Sequence, residues 1–144
     1  MRLQKKFAML GIATSAIFGL TGCGSSLADS CAEFAAFDQE YVAEVDRAMS
    51  TATQPEATAE DKAKAQELVQ EARLDFEEIV ADAEDEDFVA SAGSIPPTYA
   101  LYEQFVEPDV TQEEQMEMLQ TQDMQDGLKA QAALTQLCDA QSNS

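Results

Sequence analysis

The sequence of 144 residues contains no histidine, and its eight basic residues are outnumbered by 28 acidic ones. Without histidine the chain has no Ser-His-Asp set, no base for a catalytic cysteine and no Cys/His zinc pattern. It also lacks the Glu-x-x-His motif of iron-binding carboxylate bundles and a glycine-rich phosphate loop. These absences argue against the common nucleophilic, metal-dependent and nucleotide-dependent enzymes. We expect a non-enzymatic protein without a cofactor.

Long hydrophobic runs are missing as well. The apolar segment near the amino terminus covers residues 7–20, which is 14 positions, whereas a helix needs about 20 apolar residues to cross a bilayer core. Arg2, Lys5 and Lys6 precede this segment, and no acidic residue stands with them. A basic start followed by a short apolar run is typical of an export signal. The pattern therefore predicts export and not a membrane-spanning helix.

The export signal ends in Leu20, Thr21, Gly22 and Cys23, which are an aliphatic residue, two small ones and a cysteine. This ending resembles the lipobox of bacterial membrane lipoproteins, and the resemblance covers residues 1–23 only. It implies that residues 1–22 are a cleaved signal peptide. It also implies that Cys23 becomes the first mature residue and carries diacylglycerol and further acyl chains such as palmitate. The alternatives are an ordinary cleaved signal, in which Cys23 is incidental, and an uncleaved buried helix.

The resemblance also implies a location. Two acyl chains on one residue give stable anchoring, whereas a single chain binds a membrane only marginally. We therefore expect a lipid anchor on the extracytoplasmic side of the cell membrane, or in the outer membrane if the cell has two, since Gly24 and not Asp follows Cys23. Residues 23–28 would be the lipidated cysteine with a short tether, and residues 29–141 the folded domain.

The chain has only three cysteines, and acylation of Cys23 would leave Cys31 and Cys138. Export places these two in an oxidising compartment, where disulfides persist. A bridge that closes a loop of about 100 residues contributes up to about 4.7 kcal/mol in the chain-entropy model. The alternative is a pair of buried reduced thiols that pack as small hydrophobes. The even pair left after lipidation favours the disulfide.

The charge of the predicted mature chain is extreme. Removal of the three basic residues of the signal changes the formal net charge from −20 to −23. Such a chain repels nucleic acid phosphates and anionic lipid headgroups, so we expect no nucleic-acid partner and a membrane attachment through lipid alone. Basic peptides, polyamines and divalent cations remain as partners. The simplest explanation is that the charge keeps the surface soluble.

Apolar residues recur at spacings of three and four after the signal, which predicts an all-α domain. The expected helix boundaries are an end near Ser50, a second helix from Thr58 to Ala83, a short third helix between Pro96 and Pro108, and a last helix after the capping box Thr111–Glu114. Four helices with short connections predict a small up-down bundle, in which Cys31 and Cys138 lie at the same pole. Gly127 is a candidate position for a kink or split in the last helix.

A run of carboxylates at residues 82–87 is the first candidate for chemistry. Oxygen-rich clusters bind calcium, but this run has an acidic residue where the calcium loop of the EF-hand needs glycine. The alternative is a solvated, frayed end of the second helix, where the acids oppose the helix dipole. The weak metal candidates are Asp82, Glu84, Asp85, Glu86 and Asp87.

Asp38 and Asp123 fall within the apolar stripes of the first and last helices. Two facing carboxylates would serve as acid and base in glycoside hydrolysis or as metal ligands. The simpler interpretation places both at the rim of the stripes, in contact with water.

Three hypotheses for the function follow. The leading one is a non-enzymatic binding or structural role at the cell envelope, with an envelope protein or a basic peptide as partner. The second is an immunity or exclusion lipoprotein that masks a basic partner. The third is a hydrolase or divalent-cation binder that uses the carboxylates named above.

Overall fold

The computed structural model describes residues 26–142. The predicted signal peptide, Cys23 and most of the tether therefore lie outside the described residues. Where ten or more residues separate two long helices, a short helix lies between them. The helices are α1 (Leu27–Phe37), the π-helical segment π1 (Asp38–Val42), α2 (Ala43–Ala52), α3 (Ala59–Asp82), α4 (Glu86–Ala92), α5 (Ile95–Phe105), α6 (Gln112–Leu119) and α7 (Gln122–Ser142).

These helices form four rods that run alternately up and down. The backbone stays helical from α1 through π1 into α2, so these three make the first rod. The second is α3, the third is α4 with α5, and the fourth is α6 with α7. Neighbouring rods pack in order, and α7 also packs against α1, which closes the bundle. The prediction of an all-α up-down four-helix bundle is confirmed.

Side-chain caps fix the starts of several helices. In each of three capping boxes, a Ser or Thr hydroxyl accepts the N–H of an acid three positions later, and that acid accepts from the cap in return. The pairs are Ser26 with Asp29, Thr58 with Asp61, and Thr111 with Glu114. Such caps typically contribute about 1 kcal/mol each. The capping box expected at Thr111 is confirmed.

Aromatic rings fill the centre of the bundle. The ring of Phe37 lies 5.0 Å from Phe76, 5.1 Å from Tyr41 and 6.0 Å from Tyr99. Phe34 also contacts Phe76, at 6.2 Å and nearly edge to face. Aromatic pairs in such geometries add about 0.5–1.5 kcal/mol beyond the burial of their area. These residues tie the first rod to α3 and α5.

The third rod is longer than the sequence predicts. The expected helix begins at Pro96, but α4 precedes it and continues the same rod from the disulfide-bearing pole. Gly93 and Ser94 separate α4 from α5, in agreement with the predicted break. The extra helix arises because Asp85 caps it and Phe88 is fully buried.

The last rod is divided into α6 and α7, and the division lies at Gln120 and Thr121. The Thr121 hydroxyl accepts the N–H of Met124 at 3.3 Å and so caps α7. Gly127 lies inside α7, and a Cβ placed there would come within 1.6 Å of Oγ1 of Thr98. Gly127 is therefore the residue that lets α5 and α7 approach closely, and α7 continues through this candidate position without a split.

Candidate functional site

The disulfide predicted between Cys31 and Cys138 is present. The two sulfur atoms are bonded at 2.01 Å, and the Cα atoms lie 5.3 Å apart. The bond joins the beginning of the first rod to the end of the last, and both residues are buried. The opposite pole holds a small buried cluster of Ala52, Ala65 and Val106. The disulfide therefore marks the pole at which the described chain begins.

The carboxylate run at residues 82–87 takes structural positions at helix ends. Asp82 is the last residue of α3, which ends one residue before the expected Ala83, and the rest of the run lies beyond that helix. Asp85 is the N-cap of α4, where its Oδ1 accepts the N–H of Phe88 at 2.9 Å. Glu86 and Asp87 occupy the first turn of α4, where negative charge favours the helix dipole. Glu84 is exposed in the connection between the two helices.

Within residues 26–142, no group of three or more Asp, Glu or Cys side chains is arranged to hold a metal ion. Asp38 and Asp123 are both exposed, in agreement with the rim interpretation. Asp38 begins π1, and Asp123 lies in the first turn of α7.

The site that the structure does bring together is an acid-lined cleft between the first rod and α3. Its volume is about 340 Å³. Apolar and aromatic side chains form part of the wall, and carboxylates surround them, without a basic residue among the lining side chains. The lining residues are Glu33, Ala36, Phe37, Glu40 and Tyr41 of the first rod, and Asp75, Glu78, Ile79 and Asp82 of α3.

Helical spacing explains how the cleft is built. On the first rod, carboxylates at positions 33 and 40 flank an apolar pair at 36 and 37, and on α3 those at 75 and 82 bracket Glu78 and Ile79. Both sets follow the i, i+3, i+4, i+7 pattern that places residues on one helix face. The sequence contains this signal twice, but it does not reveal that these two faces lie side by side.

A hydrogen bond between Tyr41 and Asp75 closes one side of the cleft. The Tyr41 hydroxyl donates to Oδ2 of Asp75 at 2.5 Å. This bond, together with burial, raises the pKa of the Tyr41 phenol well above its ordinary value, so the hydroxyl stays neutral. Tyr41 belongs to π1, and π-helical turns inside α-helices are frequent at functional sites. The phenol therefore holds the first rod and α3 at a fixed separation beside the carboxylates.

Arg73 on α3 does not line this cleft, and its side chain instead links α3 to α5. Its Nε donates to Glu103 on α5 at 2.6 Å, and its Nη1 donates to Glu77 at 2.7 Å. Both hydrogen bonds raise the pKa of Arg73 above its ordinary value. Because this guanidinium is engaged with α5, it does not neutralise the acids of the cleft.

The chemistry of the cleft suits a positively charged group. Carboxylate oxygens accept hydrogen bonds from ammonium and guanidinium groups, and such charge-assisted bonds are the stronger ones. The aromatic walls at Phe37 and Tyr41 would contact the aliphatic part of a lysine or arginine side chain.

The sequence matches no protein-family model, and neither a curated protein nor a solved structure matches it. None of the described helices combines the length and the apolar character that crossing a membrane requires.

Proposed function

We propose that this protein is an exported lipoprotein, anchored through acylated Cys23 on the extracytoplasmic face of the membrane, with a non-enzymatic binding role at the cell envelope. The observation that carries the proposal is the disulfide between Cys31 and Cys138. Disulfides persist in oxidising compartments and are rare in the cytosol. The bond therefore supports export, as the lipobox-like ending at Cys23 does by a separate route.

The short tether supports an orientation for the anchored domain. Three residue steps separate Cys23 from Ser26, the N-cap of α1, and an extended chain spans at most about 3.6 Å per residue. The start of α1 would thus lie within about 11 Å of the lipidated residue. The disulfide-bearing pole would face the bilayer, and the opposite pole would face away from it.

The acid-lined cleft supports a positively charged partner. Its lining carries Glu33, Glu40, Asp75, Glu78 and Asp82 without a lysine or arginine. A basic segment of a peptide or of an envelope protein matches this charge, whereas nucleic acid and anionic lipid do not. The cleft opens along the side of the bundle between the first rod and α3, so a tethered domain leaves it accessible to a neighbouring protein.

The anchoring part is tested with a Cys23→Ser variant of the full chain, followed by fractionation of the cells. We expect this variant to leave the membrane fraction and to appear in the medium or the periplasm. A Cys31→Ser/Cys138→Ser variant is the matched control, because it removes two thiols but retains the acylation site. Retention of Cys23→Ser in the membrane fraction contradicts the anchor.

The binding part is tested by chemical crosslinking in native membranes, followed by purification and mass spectrometry. Two full-length variants with the same change in charge are compared: Glu33→Gln/Glu78→Gln in the cleft, and Glu56→Gln/Glu67→Gln outside it. We expect the cleft variant to lose a basic partner that the wild type and the control retain. Equal recovery of every crosslinked protein by the two variants contradicts a binding role for the cleft.

The identity of that partner separates two envelope roles. A resident envelope protein supports a structural or accessory role, whereas a basic foreign protein supports an immunity or exclusion role. Both roles require a basic partner that complements the acidic cleft. The sequence of the captured protein therefore distinguishes one role from the other.

A further inference from the structure

Among the described helices, α6 is the one without a buried residue. It is eight residues long. Gln115 and Met118 are half-buried, whereas Met116 and Leu119 are largely exposed, at 56% and 43%. An isolated helix shorter than about 12–15 residues is only marginally stable in water. Its retention on the bundle therefore depends on a few contacts.

Those contacts are few and lie at the edges of the helix. The side-chain amide of Gln115 donates to the carbonyl oxygen of Phe105, the last residue of α5, at 2.8 Å. At the other end, the Thr121 hydroxyl donates to the carbonyl oxygen of Met118 at 2.7 Å, but this bond lies within residues 107–121 and does not attach them to the bundle. The capping box at Thr111 stabilises the helix internally but does not attach it to the bundle. Gln115 is therefore the principal latch between α6 and α5.

The residues on either side of this segment are firmly held. Val106 is 1% exposed and packs with Ala52 and Ala65, and Met124 is 2% exposed in α7. Residues 107–121 thus lie between two buried anchor points. Neither anchor needs to move for the intervening segment to leave the surface.

We propose that residues 107–121, which include α6, form a flap that opens from the bundle while the first three rods and α7 stay folded. The pivots are the turn at Glu107 and Pro108 and the junction at Gln120 and Thr121, where the helical hydrogen bonds are interrupted. Opening breaks the Gln115 latch and exposes the half-buried Met118 beside Met116 and Leu119, which are already exposed. Mobile functional elements are drawn from regions with few buried contacts, and no residue from 107 to 121 is buried.

The chain offers a direct test by limited proteolysis with an endoprotease that cleaves after glutamate. Within the flap, α6 contains Glu113, Glu114 and Glu117. The helix α3 contains Glu67 and Glu71, which are exposed in a rod with a buried face. Cleavage inside a helix requires local unfolding, so exposure alone does not allow it. We expect cleavage of the native protein in the flap at least about tenfold faster than in α3.

A Gln115→Ala variant completes the test. We expect faster cleavage in the flap and an unchanged thermal midpoint, because the latch does not hold the first three rods or α7 together. A Gln136→Ala variant on the exposed face of α7 is the control and should change neither quantity. Equal cleavage rates in the flap and in α3 overturn the proposal, and so does a Gln115→Ala variant whose cleavage is unchanged or whose thermal midpoint falls.

Discussion

Cys31 and Cys138 lie 107 positions apart in the sequence, and their disulfide closes almost the whole described chain into one loop. The bond joins the first rod to the last at the pole where the described chain begins. Because both cysteines are buried, the pair also forms part of the apolar core. The disulfide thus links the predicted location of the protein with the stability of its fold.

Loss of this disulfide should destabilise the domain strongly. A bridge across a loop of this length contributes about 2–4 kcal/mol, which corresponds to a fall of the order of 10 °C in the midpoint of thermal unfolding. We expect that fall for Cys31→Ser/Cys138→Ser, measured by calorimetry without reductant. Adding reductant to the wild type should give a similar midpoint. An equal midpoint for the wild type with and without reductant would show that the bridge does not stabilise the domain.

Two leucines on α7 provide a matched pair for the core. Leu134 is fully buried, whereas Leu128 is 53% exposed. Leu134→Ala should lower the free energy of unfolding by about 2–5 kcal/mol through lost burial and a cavity. Leu128→Ala should change it by less than about 0.5 kcal/mol, as for most surface positions. Chemical denaturation of both variants measures the difference, and comparable effects would contradict the packing of α7.

The contact between Gly127 and Thr98 predicts an unusual cost for a small substitution. A Cβ at position 127 would overlap the side chain of Thr98, whereas one at Gly93 would meet its nearest neighbour at 3.3 Å. Gly127→Ala should therefore destabilise the domain by about 1–3 kcal/mol through overpacking. Gly93→Ala should have a smaller effect. A double-mutant cycle with Thr98→Ala should recover part of the loss, and strictly additive effects would argue against this contact.

The tyrosines predict an alkaline limit to stability. The hydrogen bond to Asp75 raises the pKa of Tyr41, and burial raises the pKa of Tyr99 and of Tyr102. Their protonated forms are favoured in the folded state, so stability is complete below the unfolded pKa of about 10 and falls as the pH rises above it. Each tyrosine contributes a slope of at most about 1.4 kcal/mol per pH unit.

Denaturation measured between pH 8 and pH 12 tests this account of the tyrosines. Tyr41→Phe should make the alkaline fall shallower, because one of the three phenols is removed. Its stability at neutral pH should also decrease, since the hydrogen bond to Asp75 is lost. An identical pH dependence in the variant and the wild type would show that the phenol of Tyr41 is not linked to folding.

The sequence was informative where local chemistry determines structure. The apolar stripes predicted the helices, the Thr111–Glu114 pattern predicted a capping box, and Pro96 lies in the first turn of α5. The pairing of Cys31 with Cys138 followed from their number and from the bundle topology. Lipidation of Cys23 stays a prediction, because that residue lies outside the described chain.

Features that depend on contacts between distant helices were not predictable in the same way. The helix α4 is only seven residues long and is preceded by acids that resemble a solvated loop, yet the buried Phe88 holds it in place. The role of Gly127 depends on Thr98, which is 29 positions away in the sequence. Likewise, the acid-lined cleft requires two helix faces to meet, and the periodicity of one helix does not identify its neighbour.

The central claim is that the protein is held at the membrane by acyl chains on one sulfur atom, and mass spectrometry of the mature amino-terminal peptide tests it most directly. The protein should be extracted from membranes with detergent and digested, so that the first peptide retains any modification. We predict a peptide that begins at Cys23 and carries the mass of diacylglycerol or additional acyl chains. An unmodified peptide that begins at Met1 would contradict the claim.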